Sequence, residues 1–338
     1  MKKLLAILLA LVVVGGAFAQ VTTAISLSGQ VTLYDQDGVT TFARDGADYD
    51  VVTFKAADAD GKYGFSISDN NFIDGIGVPR DWNVWAKGKY TKVILGNLRN
   101  GDFRTLLTEG DVGVGSTNRI TNYGVLVESL PMGGLTLGVN IPSPEAGADF
   151  ADVIKNVDIG AKYDLEGFGS FTALVQLSNA DAINATLGTK YDRDGVAATT
   201  TDVAFDALFL NFGVTYTGVE NLTVNGVFKF VKSENLDASD IYFGLGGYYT
   251  MDKLYAYAEF AGINRDEFTW DTSVAGVYTI MDPMTAKLNV TYNSDNDYGV
   301  YGTLGYDYGN GLSSEIALGY GSADDFTYST SLYYSVAF

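Results

Sequence analysis

From Ile25 onward, apolar residues take every second position for about ten residues at a time, the length of a tilted strand crossing a bilayer. A polar turn or loop follows, and the alternation resumes. In the first such segment Ile25, Leu27, Gly29, Val31 and Leu33 oppose Ser26, Ser28, Gln30, Thr32 and Tyr34. Successive side chains of a strand point to opposite faces, so one face is oily and the other wet. The same split recurs at Tyr63, Phe65 and Ile67, at Leu135, Leu137, Val139 and Ile141, and at Phe171, Ala173, Val175 and Leu177. It continues through Leu208 to Tyr216, Leu222 to Phe230, Leu254 to Phe260, Phe268 to Tyr278 and Ala286 to Tyr292, and persists to the last residue. Short turns such as Pro131-Met132-Gly133-Gly134, Met251-Asp252-Lys253 and Gly309-Asn310-Gly311 alternate with longer polar loops such as 179–205.

A soluble β-sandwich also alternates, and charge parity separates the two. Lys55, Lys87, Lys89, Asp158, Lys162, Lys229, Glu259, Lys287 and Glu315 all fall in the polar register. Lys155 and Lys232 depart from it near strand ends, where a long stem can carry the charge back to water. The expected fold is all-β: a transmembrane antiparallel β-barrel of 16 to 18 strands, with short periplasmic turns and longer outer loops. A barrel of that size encloses an aqueous channel rather than a packed interior. In the apolar register, Trp82, Tyr216, Trp270 and Tyr278 are candidates for the aromatic girdles at the membrane interfaces.

The N-terminus reads differently. Lys2 and Lys3 precede an apolar run from Leu4 to Val14, and Ala17-Phe18-Ala19 supplies a small-residue cleavage pattern. The run is shorter than the roughly 20 residues of a spanning helix. Residues 1–19 are therefore expected to be a cleaved leader, and 20–338 a single barrel domain.

Composition narrows the chemistry. The chain has no histidine and no cysteine, which removes the usual zinc, copper and haem ligands, every disulfide, and every catalytic group built on those residues. No cofactor and no catalytic residue is expected. With 41 acids against 21 bases and a net charge of −20, nucleic acid is an unsuitable partner. Asp58-Ala59-Asp60-Gly61 and Asp192-Arg193-Asp194-Gly195 place oxygen ligands at alternate positions, but neither has the full spacing or closing Glu of a calcium loop, and both read as tight turns.

Two stretches resemble the porins of bacterial outer membranes. The first is the end of the chain, where Tyr328, Leu332, Tyr334, Val336 and the terminal Phe338 share one register, similar to the C-terminal signal that the outer-membrane assembly machinery reads. The second covers residues 82–141. Val84-Trp85-Ala86-Lys87-Gly88 and Val93-Ile94-Leu95-Gly96-Asn97 look like the hairpin before the constriction loop, and Asn118-Arg119-Ile120-Thr121-Asn122, Pro131 and Gly134-Leu135-Thr136-Leu137-Gly138 follow in the porin order. The sequence lacks the Pro-Glu-Phe-Gly-Gly stretch common in that loop, and a cluster of wall arginines is not evident.

The resemblance implies an outer-membrane location in a bacterium with a two-membrane envelope, a homotrimer, and passive diffusion of ions and small polar solutes through a water-filled pore. It also implies that loop 98–118 folds into the lumen as a constriction. Asp102, Glu109 and Asp111 would then face the wall lysines Lys55, Lys87 and Lys89, and opposed charges would set a transverse field. A structural or adhesive barrel without conductance is the alternative.

Overall fold

The computed structural model describes residues 21–35, 51–69, 81–107, 116–143, 150–178, 207–233, 240–264, 267–322 and 326–337. Eighteen strands are described. The first six are β1 (Val21–Asp35), β2 (Val51–Asp58), β3 (Tyr63–Asp69), β4 (Asp81–Lys87), β5 (Thr91–Asn100) and β6 (Ile120–Met132). Then come β7 (Leu135–Pro142), β8 (Asp158–Leu165), β9 (Gly169–Ser178), β10 (Ala207–Val219), β11 (Leu222–Ser233) and β12 (Asp240–Met251). The last are β13 (Leu254–Asn264), β14 (Phe268–Met281), β15 (Met284–Asn293), β16 (Tyr298–Gly309), β17 (Leu312–Gly321) and β18 (Thr327–Ala337). One short helix, α1 (Phe150–Ile154), sits between β7 and β8. Among the described residues no helix is long and apolar enough to cross a membrane.

Each strand pairs antiparallel with the next, and β1 pairs with β18, so the sheet closes on itself. Closure satisfies the backbone groups that a sheet edge would leave open, which is what a hydrocarbon environment demands. The strand number is the upper of the two expected from the sequence.

The two ends of the barrel differ. At one end the connections β2–β3, β4–β5, β6–β7, β8–β9, β10–β11, β12–β13, β14–β15 and β16–β17 all take two to four residues, whereas at the other they range from 265–267 (β13–β14) and 294–297 (β15–β16) to 179–206 (β9–β10). In the β10–β11 turn Asn221 adopts φ 61°, a left-handed conformation that Asn tolerates better than most residues. Asp58-Ala59-Asp60-Gly61 forms the β2–β3 turn. Gly61 N donates to the Asp58 carbonyl at 2.9 Å, Lys62 Nζ to Asp60 at 2.7 Å and Tyr63 N to the Asp58 carboxylate at 2.9 Å. The Lys62 hydrogen bond and charge hold the Asp60 carboxyl below its ordinary value, and the backbone and side-chain bonds together are those of a tight turn. Asp192-Arg193-Asp194-Gly195 lies outside the described residues.

Register assigns the faces. Val139↔Ile159 and Val290↔Val300 are outward pairs, and Val139, Ile159, Val290 and Val300 are all exposed. Gly138↔Gly160 and Lys92↔Glu128 are inward pairs. An exposed apolar band encircling the wall is the surface that lipid covers. Trp82, Tyr216, Trp270 and Tyr278 all point outward in this register, with Tyr216 and Tyr278 toward the turn end and Trp82 and Trp270 toward the loop end. The charged positions Lys55, Asp158, Lys162, Lys229, Glu259, Lys287 and Glu315 are inward. Lys232 is outward and exposed, one residue from the end of β11, and Lys155 precedes β8 in a connection.

Candidate functional site: a segment inside the barrel

The connection from β5 to β6 turns inward. Phe103 is 2% exposed and lies over Gly138 and Gly160, where an added β carbon would come within 2.4 Å of its ring. These two glycines are register partners on β7 and β8, so the wall is bare where the ring rests. Two residues on, the Thr105 hydroxyl lies 2.7 Å from that of Thr172, and the adjacent wall residue, Gly213, again leaves room. Leu107 then packs with Phe209, Val227, Val231, Tyr242 and Ala261. Residues 103, 105 and 107 therefore walk across the inner faces of β7 to β13, while the intervening Leu106 is exposed.

The return limb is pinned beside it. Thr117 N donates to the Thr105 carbonyl at 2.9 Å, and Leu106 bridges Ser116. Arg104 Nε donates to the Thr117 carbonyl at 3.0 Å, and its guanidinium also reaches the Ser116 hydroxyl. Asn118 N donates to Asn211 Oδ1 at 3.0 Å, and Gln176 Nε2 to the Arg119 carbonyl at 3.3 Å.

The entry to the segment carries charge. Lys92 Nζ stands 3.3 Å from Asp102 and 3.1 Å from Glu128, while Asn100 Nδ2 donates to the same Asp102 oxygen at 2.8 Å. Eight extended residues separating Lys92 from Asn100 would span about 26 Å, so two residues that hold one carboxylate show that β5 is not straight. Midway between them Gly96, at φ 149°, lets β5 pass close to β4, where an added β carbon would lie 2.1 Å from the Trp82 carbonyl oxygen. Burial works to raise the Asp102 carboxyl, but hydrogen bonds with Glu128 and Asn100 and the Lys92 charge outweigh it and hold the group below its ordinary value. A depressed folded value means that this contribution to docking is present above the ordinary carboxylate range and is lost only as pH falls through the lowered value. Substitution Lys92→Met, which removes the cation between the two acids, is expected to weaken docking by about 2 kcal/mol. The check is faster limited trypsin cleavage after Arg104 at neutral pH.

The other sequence-derived positions stand elsewhere. Lys55 is inward on β2, opposite Ser66, and exposed. Lys87 ends β4 in register with Lys92, and Lys89 lies in the following turn with its ammonium 4.7 Å from the Tyr90 ring centre. The cation that Asp102 meets is thus Lys92, from β5 itself. Residues 98–100 belong to β5. Glu109, Asp111 and Phe338, with the leader 1–19, lie outside the described residues.

The lumen is asymmetric. Inward residues of β6 to β13 are largely buried, among them Leu126, Asn140, Asp158, Leu174, Gln176, Asn211 and Glu259. Inward residues of β14 to β18 and of β1 to β4 include Ser26, Thr53, Ser66, Ser68, Ser313, Ser329 and Thr303, half-buried or exposed. These define a transmembrane-type antiparallel β-barrel whose interior is partly filled by one of its own connections.

No family model matches the chain, and no curated protein matches its sequence. Solved structures do. OprD of Pseudomonas aeruginosa aligns over 95% of this chain and 96% of its own at 11% identity, TM-score 0.52. OccK3 (OpdO) of the same organism aligns over 94% and 95% at 9% identity, TM-score 0.53. The outer membrane protein OpdK, also of that organism, aligns over 95% and 99% at 12% identity, TM-score 0.51. The barrel fold is therefore the one those chains share, at end-to-end coverage.

Proposed function

We propose that the protein is an outer-membrane porin through which ions and small hydrophilic solutes diffuse passively, with the described parts of the β5–β6 connection, 101–107 and 116–119, narrowing the lumen. The observation that carries this reading is the asymmetry of the inner wall: a segment packed against β7 to β13 faces a hydroxyl-rich wall on the opposite side. A closed barrel with an apolar exterior and a polar interior needs no chemistry to pass polar solutes. The cleaved leader, the terminal Phe338 as the assembly signal and the homotrimer belong to the same reading, supported by the sequence resemblance. So does the placement in the outer membrane of a two-membrane bacterium, which agrees with the source of the similar structures.

The test is single-channel recording of purified, detergent-folded protein in a planar bilayer under a potassium chloride gradient. Discrete, long-lived conductance steps are expected, and the sign of the reversal potential reports the balance of Asp102, Glu128 and the wall lysines. A folded barrel that inserts without conducting would overturn the channel reading in favour of a structural or adhesive role.

A further inference from the structure

Tyr301 stands apart on the inner wall. It faces Asn289 across the β15–β16 ladder and Gly319 across the β16–β17 ladder, so its side chain points inward. Among the described strand residues in the inward register it is the one exposed aromatic ring, at 46%, whereas Phe209, Tyr242 and Tyr257 are at 3% or less. The ring lies along the wall. A β carbon added to Gly299 would fall 2.6 Å from it, and one added to Gly319 would fall 3.0 Å from it. One face thus rests on glycine backbone and the other is turned to the lumen.

This platform borders a cavity of about 630 Å3 toward the loop end, lined also by Asp271, Asn289, Thr291 and Thr327 and by Tyr292, Tyr298 and Tyr320 of the outward register, a volume in the range of small-molecule sites. Carboxylate, amide and hydroxyl groups around one flat aromatic face suit a ligand that has an apolar face and a hydroxyl rim. A pyranose ring has that shape. Its C–H face is attracted by the negative π face of an aromatic, and its hydroxyls exchange hydrogen bonds with Asn, Thr and Asp side chains. The ring also attracts cations, but most of the polar groups around it are neutral, and the Asp297 carboxylate at the cavity rim accepts from the Ser322 hydroxyl at 2.9 Å.

We propose that Tyr301 and the cavity beside it form a binding subsite for neutral carbohydrate on the loop side of the barrel. The subsite rests on the channel reading for its route of access and not for its chemistry. In a planar bilayer, a neutral glucose trisaccharide is expected to interrupt the current saturably, while polyethylene glycol of matched size does not. Tyr301→Phe keeps the stacking face and retains the dwell time, and Tyr301→Ala shortens it about fivefold. A trisaccharide that behaves like the polymer, an unaltered Tyr301→Ala dwell time, or block by choline in place of the sugar would overturn the proposal. If Tyr301→Ala does not fold, Thr327→Val is expected to shorten the dwell time to a lesser extent, and no change overturns it equally. If the barrel does not conduct, saturation-transfer NMR with the trisaccharide in detergent decides separately: binding by the wild type that is lost in the variant keeps the subsite while the channel reading fails, and absence of binding removes both.

Discussion

Replacing Phe103 with alanine is expected to release residues 101–107 from the inner wall and to enlarge the passage while the barrel stays closed. A buried Phe→Ala change costs about 3–5 kcal/mol, and Phe103 holds the segment over two glycines that offer no other contact at that spot. The remaining anchors are Leu107 in its apolar cluster, the Lys92–Asp102 contact, and the hydrogen bonds of Thr105 with Thr172, Asn118 with Asn211, and Gln176 with the Arg119 carbonyl. Each hydrogen bond is worth about 1 kcal/mol net, so between the Lys92–Asp102 contact and Leu107 nothing of comparable size replaces the lost ring once water competes for the same partners. Higher single-channel conductance and trypsin cleavage after Arg104 are the readouts, with the heat-modifiable mobility of the barrel unchanged. Gly160→Val should give the same phenotype from the opposite cause, because its side chain would occupy the space of the ring. In the Phe103→Ala, Gly160→Val double variant the valine fills part of the void, so the two effects should be less than additive. Unchanged conductance and cleavage in both single variants would mean that the segment is held without this contact.

Val274→Arg should destabilise the barrel in lipid vesicles by about 2–4 kcal/mol. Val274 is 56% exposed, in the middle of β14, between Ala258 and Val290 on the outward face. A guanidinium there must enter hydrocarbon or drag water with it. The paired control is Thr303→Arg on the inward face of β16, where the charge remains in the aqueous lumen. That variant is expected to shift the reversal potential with little change in stability. Urea titration of vesicle-embedded protein measures both, and equal costs for the two positions would rule out a lipid-facing exterior.

These two substitutions also mark where the sequence is readable and where it is not. On β3 and β15 the outward face meets lipid and the inward face is polar and largely open to the lumen, so strict alternation exposes the strand and its orientation. On β5 and β6 the inward face meets protein. Ile94, Leu98 and Leu126 pack there with Phe103, Ile120 and Leu174, and the run Val93-Ile94-Leu95 is apolar on both sides. Apolar residues on the wet face are thus the trace of something lying inside, as are the glycines at 138, 160 and 213. The spacing of Phe103, Thr105 and Leu107 within a polar loop was the matching signal on the segment itself. Which cation Asp102 meets could not be read from spacing, because the contact depends on the path of β5 and of the chain just after Asn100. A straight β5 would leave Lys92 far from it.

The ladder between β18 and β1 has a consequence beyond closing the wall. Ser26 lies opposite Ala337, at the same end of the barrel as the eight connections of two to four residues named first, so the start of β1 and the end of β18 sit where one more turn would fit. Joining them through a few residues and reopening the chain between Glu220 and Asn221 would preserve all eighteen ladders in a circularly permuted protein. The wall is a ring without a privileged first strand. The order in which its staves are synthesised belongs to the gene, and the finished barrel keeps no record of it.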